Sequence, residues 1–381
     1  MDMLFDDTDA EKAERTSLLH ELDILVQGQT FSRELWACLR LADLDRLRFI
    51  LTKVRESAVY LIGLEGSVRG SKLLPYWKHQ TRDASRTSSI AASPSQASSP
   101  AQPDVTDTSP RPRKRQRLGQ QVRDRMQRDL CRQRDGSKCV ITNSGEPVEV
   151  AHIFPFAMRD LQTPEARAQV FSPWQTLKLF WTEEKVNRWL NAIQATTETL
   201  KNLFCLAPHT HAYQSKAYFT LKYIESNEDH TSLTVMFMWL PHFDHSHSLR
   251  VCTEPSAVPV IKFRKDAAGG VVGLLNTLTE APVATGDQII LQTTDPVNLP
   301  LPDVNLLDLH WVLQRVAAMA GGGESQDEIY ETDDEDNGDC GALIDEDSDV
   351  SSLSISPKYS TTSQLVAPDL GSREFHTILQ A

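Results

Sequence analysis

No pair of cysteines in this chain has Cys-x-x-Cys spacing, which removes the ribbon-type and finger-type zinc modules that need it. The six cysteines, at 38, 131, 139, 205, 252 and 340, are widely and irregularly spaced. That pattern fits reduced thiols better than a disulfide framework. Cys131 and Cys139 are read as core-packed thiols, with a shared zinc as the weaker alternative. No apolar run is long enough to span a bilayer, and the acidic start (Asp2, Asp6, Asp7) does not resemble a signal peptide. The reading is a soluble chain of the nucleus or cytoplasm, neither secreted nor membrane-bound.

One segment lacks positive charge altogether. Residues 324–349 hold 13 Asp or Glu and no Lys or Arg. With that segment set aside, 39 acidic side chains face 39 basic ones, so the net charge of −13 belongs to the tail. A neutral body can still carry a basic face, and nucleic acid stays open as a partner. The acidic tail can solvate the chain or bind basic proteins.

Composition and periodicity divide the chain into four parts. Residues 1–82 read as an N-terminal helical region. Leu18, Leu19, Leu22, Ile24 and Leu25 begin an apolar face that Leu35, Leu39, Leu41, Leu44, Leu47, Ile50 and Leu51 continue. A helical hairpin is expected, with Thr30 or Ser32 capping its second helix, and its role is read as a packing appendage. Residues 83–117 form a linker poor in large apolar side chains, expected to be disordered. It ends in the basic cluster Arg111, Arg113, Lys114, Arg115 and Arg117, a nuclear-import candidate. Residues 118–323 carry the chemistry. Residues 324–381 read as a disordered acidic, Ser-rich tail.

Within 118–323, Arg123, Arg128, Arg132 and Arg134 accompany Met126, Leu130 and Cys131 in a helix with a basic side. Those arginines and Lys138 are the expected phosphate contacts. Residues 139–142 and 148–153 read as two strands joined by the Asn143-Ser144-Gly145-Glu146-Pro147 turn, a hairpin that ends at His152. Residues 172–200 read as helix, opened by Ser172 and Pro173. The Trp174, Trp181 and Trp189 spacing puts these rings on one helical face, a core feature. Strands are expected over 218–224, 233–240, 258–263 and 288–292. An amphipathic helix over 306–320 is stopped by Gly321, Gly322 and Gly323. His242, His245 and His247 with Asp244 read as a solvated loop.

His152, Asn202 and His211 supply, in that order, what a one-metal phosphodiesterase needs. An imidazole at a strand end can deprotonate water near neutral pH. A second imidazole can hold a divalent cation, and a carboxamide can fix the loop that aims the first. His209 and Glu149 are further candidate ligands.

These residues resemble the HNH endonuclease family. The likeness rests on Arg134-Asp135-Gly136, Cys139-Val140-Ile141-Thr142, Ala151-His152-Ile153 with Pro155, and Asn202-Leu203 with Leu206, Pro208 and His211. It extends in particular to fungal HNH nuclease domain-containing proteins, through the Trp-rich insertion and through Pro300-Leu301-Pro302 ahead of Trp311. The resemblance implies an α+β fold with a ββα-metal core, here with a helical insertion. It implies a Mg, Mn or Zn ion and a nucleic-acid partner, DNA above all. His152 would be the general base, Asn202 its brace and His211 a metal ligand. The family's acidic or His residue before the base is Ala151 here, and its Asp after the last His is Gln214 or Ser215. The alternative is a catalytically degenerate HNH scaffold that binds nucleic acid or protein.

Overall fold

A computed structural model describes residues 7–78, 125–155, 158, 169, 172–193, 197–241, 243, 248–255, 261–266 and 269–321. The import cluster, Arg123, the acidic tail, His242, His245 and His247 lie outside these residues.

The N-terminal region is five helices rather than a hairpin: α1 (Asp9–Leu25), α2 (Arg33–Leu41), α3 (Leu44–Glu56), α4 (Val59–Gly70) and α5 (Leu73–Lys78). Thr8 and Glu11 close a capping box on α1. Ser32 caps α2, its hydroxyl accepting from the Leu35 N–H. Nearly all of α2 is buried, because Trp36, Ala37 and Cys38 fill the gaps between its leucines. Trp36 donates through Nε1 to the Thr253 carbonyl at 2.9 Å. Strand β1 (Thr30–Ser32) pairs with β6 (Ser248–Arg250). These helices share one hydrophobic core with the later elements, as the expected packing on the downstream region requires.

The rest is α+β. Helix α6 (Arg125–Arg134) precedes β2 (Glu149–His152). Helices α7 (Pro173–Phe180) and α8 (Glu183–Ile193) divide the expected 172–200 helix, which breaks at Trp181 and Thr182. Strand β3 (Leu203–Leu206) leads into α9 (Pro208–Ser215). Strands β4 (Phe219–Ser226), β5 (Ser232–Trp239) and β11 (Gln288–Gln292) form an antiparallel sheet ordered β11-β5-β4. Short ribbons pair β7 (Arg264–Lys265) with β8 (Val271–Val272), and β9 (Leu275–Asn276) with β10 (Ala281–Pro282). No strand forms over 261–263; Lys262 and Phe263 are exposed there.

Helix α10 (Val304–Met319) threads the core. It is capped by Asp303 and ends before Gly321, whose φ of 86° suits glycine. Its buried set runs almost unbroken from Leu306 to Met319, so it packs on all sides against β4, α2, α5 and α8.

The expected hairpin is corrected. Residues 139–142 turn instead of extending: the Asn143 N–H bonds the Cys139 carbonyl at 2.8 Å, and the Cys139 N–H bonds the Ser144 carbonyl at 2.9 Å. Asn143 sits at a φ of 55°, in the left-handed region that Asn tolerates. The true partner of β2 is β3, with His152 opposite Leu203 and Glu149 opposite Leu206. Everything from Ile153 to Asn202 is an insertion between two paired strands, and α9 completes a β-β-α unit.

Candidate active site

Strand alternation sorts the site into two faces. Val150 and His152, with Leu203 and Cys205 opposite them, face α6. Glu149 and Ala151 face the other way, toward α9.

On the α9 side, His211 Nδ1 lies 2.7 Å from Glu149 Oε2. The Glu149 side chain is half exposed and His211 is 18% exposed, so solvent reaches the pair. One carboxylate oxygen and one imidazole nitrogen at contact distance are a donor set that fits a divalent cation. His209 does not join them. It is two residues from His211 on a helix, where side chains point apart, and its exposed ring meets Tyr213 at 6.0 Å. Ala151 offers no ligand. Gln214 is buried and Ser215 bonds the Ala212 carbonyl, so neither supplies the carboxylate a third ligand would need.

On the other face, His152 Nε2 is 2.6 Å from Glu198 Oε1, and both side chains are less than a tenth exposed. Glu198 was not singled out from sequence. It lies in the polar run Thr197-Glu198-Thr199, with no spacing signal to mark it. Asn202 bonds the backbone near each partner of this pair. Its Oδ1 accepts from the Phe154 N–H at 2.7 Å, and its Nδ2 donates to the Phe154 carbonyl at 3.0 Å and the Thr197 carbonyl at 2.9 Å. One carboxamide thus ties the loop after His152 to the segment before Glu198.

Gln214 supports the strand end from below. Its Nε2 donates to the His152 carbonyl at 3.1 Å, and Gln314 Nε2 donates to the Gln214 carbonyl at 2.8 Å. The Nε2 atoms of Gln314 and Gln214 also lie 3.2 and 3.5 Å from His310 Nε2. Two donors aimed at one ring nitrogen require it to accept, so the proton sits on Nδ1, which has no hydrogen-bond partner among the described residues. Burial pushes the His310 pKa down to about 3.

The sign of the resulting pH dependence follows. Between pH 6.5 and 3 the unfolded chain binds a proton at His310 that the folded chain refuses, so stability falls as pH drops below 6.5. From pH 7 to pH 5 the native protein is expected to lose about 2 kcal/mol more than His310→Leu. Urea unfolding at the two pH values measures this; parallel losses would mean that His310 is charged when folded.

The Arg134-Asp135-Gly136 motif is a brace. Arg134 was expected at a phosphate-contacting surface, yet its side chain is 1% exposed. It forks onto Asp135 at 2.7 and 3.1 Å and donates to the carbonyls of Leu200, Leu203 and Pro300. Asp135 in turn accepts from the Cys205 N–H at 2.8 Å. Gly136, at a φ of 62°, ends the helix. Burial works against the Arg134 charge, but Asp135 beside it raises the pKa above the usual arginine value. Of the other expected phosphate contacts, Arg132 sits 3.9 Å from Asp129, Arg128 is half-buried and Lys138 is exposed.

Cys131, Asp135 and Cys205 bring three ligand atoms within 4.8 Å, the one such group among the described residues. The thiols are 3.9 Å apart, and their mutual hydrogen bond and burial raise Cys131 well above the ordinary thiol value. Arg134 Nη2 stands 3.6 Å from Cys131 Sγ and already neutralises Asp135. This cluster therefore holds its charge balance without an ion. Cys139 is elsewhere, beside Thr210, so Cys131 and Cys139 do not share a metal.

Residues 139–222 match the family model described as HNH endonuclease. This stretch is an HNH-family domain. The match begins at the turn of Cys139 and ends in β4, so it takes in His152, Asn202 and His211 together with the helical insertion between them. No curated protein and no solved structure matches the chain. Among the described residues, no helix is long and apolar enough to cross a membrane.

Proposed function

We propose that the chain is a metal-dependent HNH-type endonuclease that hydrolyses phosphodiester bonds in DNA. The observation that carries this reading is the β2–β3–α9 unit. It sets an imidazole–carboxylate cation pair, Glu149 and His211, on one face of a strand whose end carries a second, separately held imidazole. Nuclease chemistry asks for two imidazoles in separate roles, because a histidine bound to the cation cannot also take a proton. Glu149 and His211 are the residues that would hold a divalent cation, which would supply positive charge to the scissile phosphate and the leaving oxygen. His152 would accept the water's proton at its other ring nitrogen, because Nε2 donates to the Glu198 carboxylate. Glu198 stabilises the imidazolium so formed, and Asn202 keeps base and carboxylate in register.

A second reading is favoured by one observation. His152 is 8% exposed and closed by Glu198, which also describes a scaffold that binds nucleic acid without cutting it. Incubating supercoiled plasmid with the full chain and Mg, Mn or Zn separates the two. The nuclease reading expects nicking that a chelator stops and that His152→Ala lacks. Equal background from native and variant protein in every metal rejects it in favour of the scaffold.

A further inference from the structure

The three-stranded sheet has two edges, and they differ. At β4 the pairing with β5 shifts register between Tyr223 and Glu225, and the strand carries Lys222 and Glu225. A bulge and charges of that kind keep a sheet edge from recruiting another strand. At β11 the pairing with β5 runs without a shift, and the sequence Gln-Ile-Ile-Leu-Gln has no charge and no proline. No described strand lies on its far side.

The ends of the β5–β11 ladder fix where the backbone groups point. The Phe237 N–H bonds the Asp287 carbonyl at 2.8 Å, and the Thr293 N–H bonds the Thr231 carbonyl at 2.9 Å. Hydrogen-bonded pairs alternate along antiparallel strands, so Ile289 and Leu291 also bond β5. Gln288, Ile290 and Gln292 therefore turn their N–H and C=O groups outward, and these groups have no backbone partner among the described residues. The Ile290 side chain is 59% exposed as well, while Leu291 is buried.

Open amide groups beside an exposed apolar side chain suit an added strand. The order of the side chains says which strand. Antiparallel pairing about a two-fold axis at Ile290 sets Ile290 against Ile290 of a second copy, Ile289 against its Leu291 and Gln288 against its Gln292. Each apolar residue meets an apolar one, each amide meets an amide, and no like charges meet. The outward groups of Ile290 in the two copies also face each other, as the partners of a hydrogen-bonded pair do. We propose that β11 pairs with β11 of a second copy of this chain, joining two three-stranded sheets into one antiparallel sheet of six. Such a contact is isologous and closes as a two-fold dimer. It uses no catalytic residue, so it stands whether or not the chain cuts DNA.

Sedimentation velocity of the full chain over rising concentration tests this. A monomer–dimer equilibrium is expected, a weak one because five paired residues bury less than a standard interface. Ile290→Lys sets like charges directly opposite each other and is expected to weaken association about tenfold or more. Its Tm is expected to stay close to native, because the side chain is exposed. Two double variants at exposed positions test the register. Gln288→Lys with Gln292→Lys opposes lysine to lysine at both ends and is expected to weaken the dimer. Gln288→Lys with Gln292→Glu opposes lysine to glutamate at both ends and is expected to keep it. A chain that stays monomeric at every concentration overturns the proposal. So does a dimer that all three variants leave unchanged, and so does equal weakening by both double variants. If Ile290→Lys does not fold, the double variants decide alone.

Discussion

Arg134→Leu is expected to destabilise the fold by roughly 3–5 kcal/mol, the range for removing one partner of a buried ion pair. The cost has three sources. Asp135 is left as a buried carboxylate facing Cys131 and Cys205. The carbonyls of Leu200, Leu203 and Pro300 lose a charged donor. The join between α6 and the start of β3 loses its clamp. A Tm lower by on the order of 10 °C is the readout. Arg134→Lys is expected to recover little, because one ammonium cannot replace a fork that reaches Asp135 and three carbonyls. Native-like melting of Arg134→Leu would return Arg134 to the surface role expected from sequence.

The second large effect is on rate. His152→Ala removes the proton acceptor, and general-base catalysis is worth about 10²–10⁴-fold, so plasmid nicking falls by that factor. Stability is a poor guide to this variant. It also removes the His152 contact of Glu198 in a site less than a tenth exposed, which costs folding energy of its own. Melting and nicking therefore need to be measured on the same preparation. Rate loss beyond the loss of folded protein supports the base role. Rate loss matching it assigns His152 to structure alone.

What could be read along the chain was local. The apolar pattern and glycine stop of α10, the Ser172–Pro173 start of α7, and strands β4, β5 and β11 all follow from short-range rules, and the structure shows each near its expected place. What could not be read was long-range. Val140 and Ile141 have strand-forming side chains, but the Asn143 turn closes on Cys139, and β2 takes a partner that begins 51 residues beyond His152 instead. Pairing across so long an insertion leaves no trace in local periodicity. The leucines alone understate α2: the residues between them, Trp36, Ala37 and Cys38, are apolar too, and the helix is buried on nearly all sides.

The site divides the same way. His152, Asn202, His211 and Glu149 were visible as residue types in an order, and the fold brings Glu149 to His211 and Asn202 to the loop of His152. Arg134 counted as one more base on a basic helix, although its i, i+3 relation to Cys131 places both on the buried side. Glu198 carries no motif. Its role comes from a partner distant in sequence.

The cation pair is the claim on which the nuclease reading turns, and calorimetric titration of Mn²⁺ into the full chain tests it most directly. One ion per chain is expected, weakened about tenfold or more in both Glu149→Gln and His211→Ala and little changed in Cys131→Ser. Affinity that survives both substitutions but disappears in Cys131→Ser would place the metal at the thiol cluster and contradict the account.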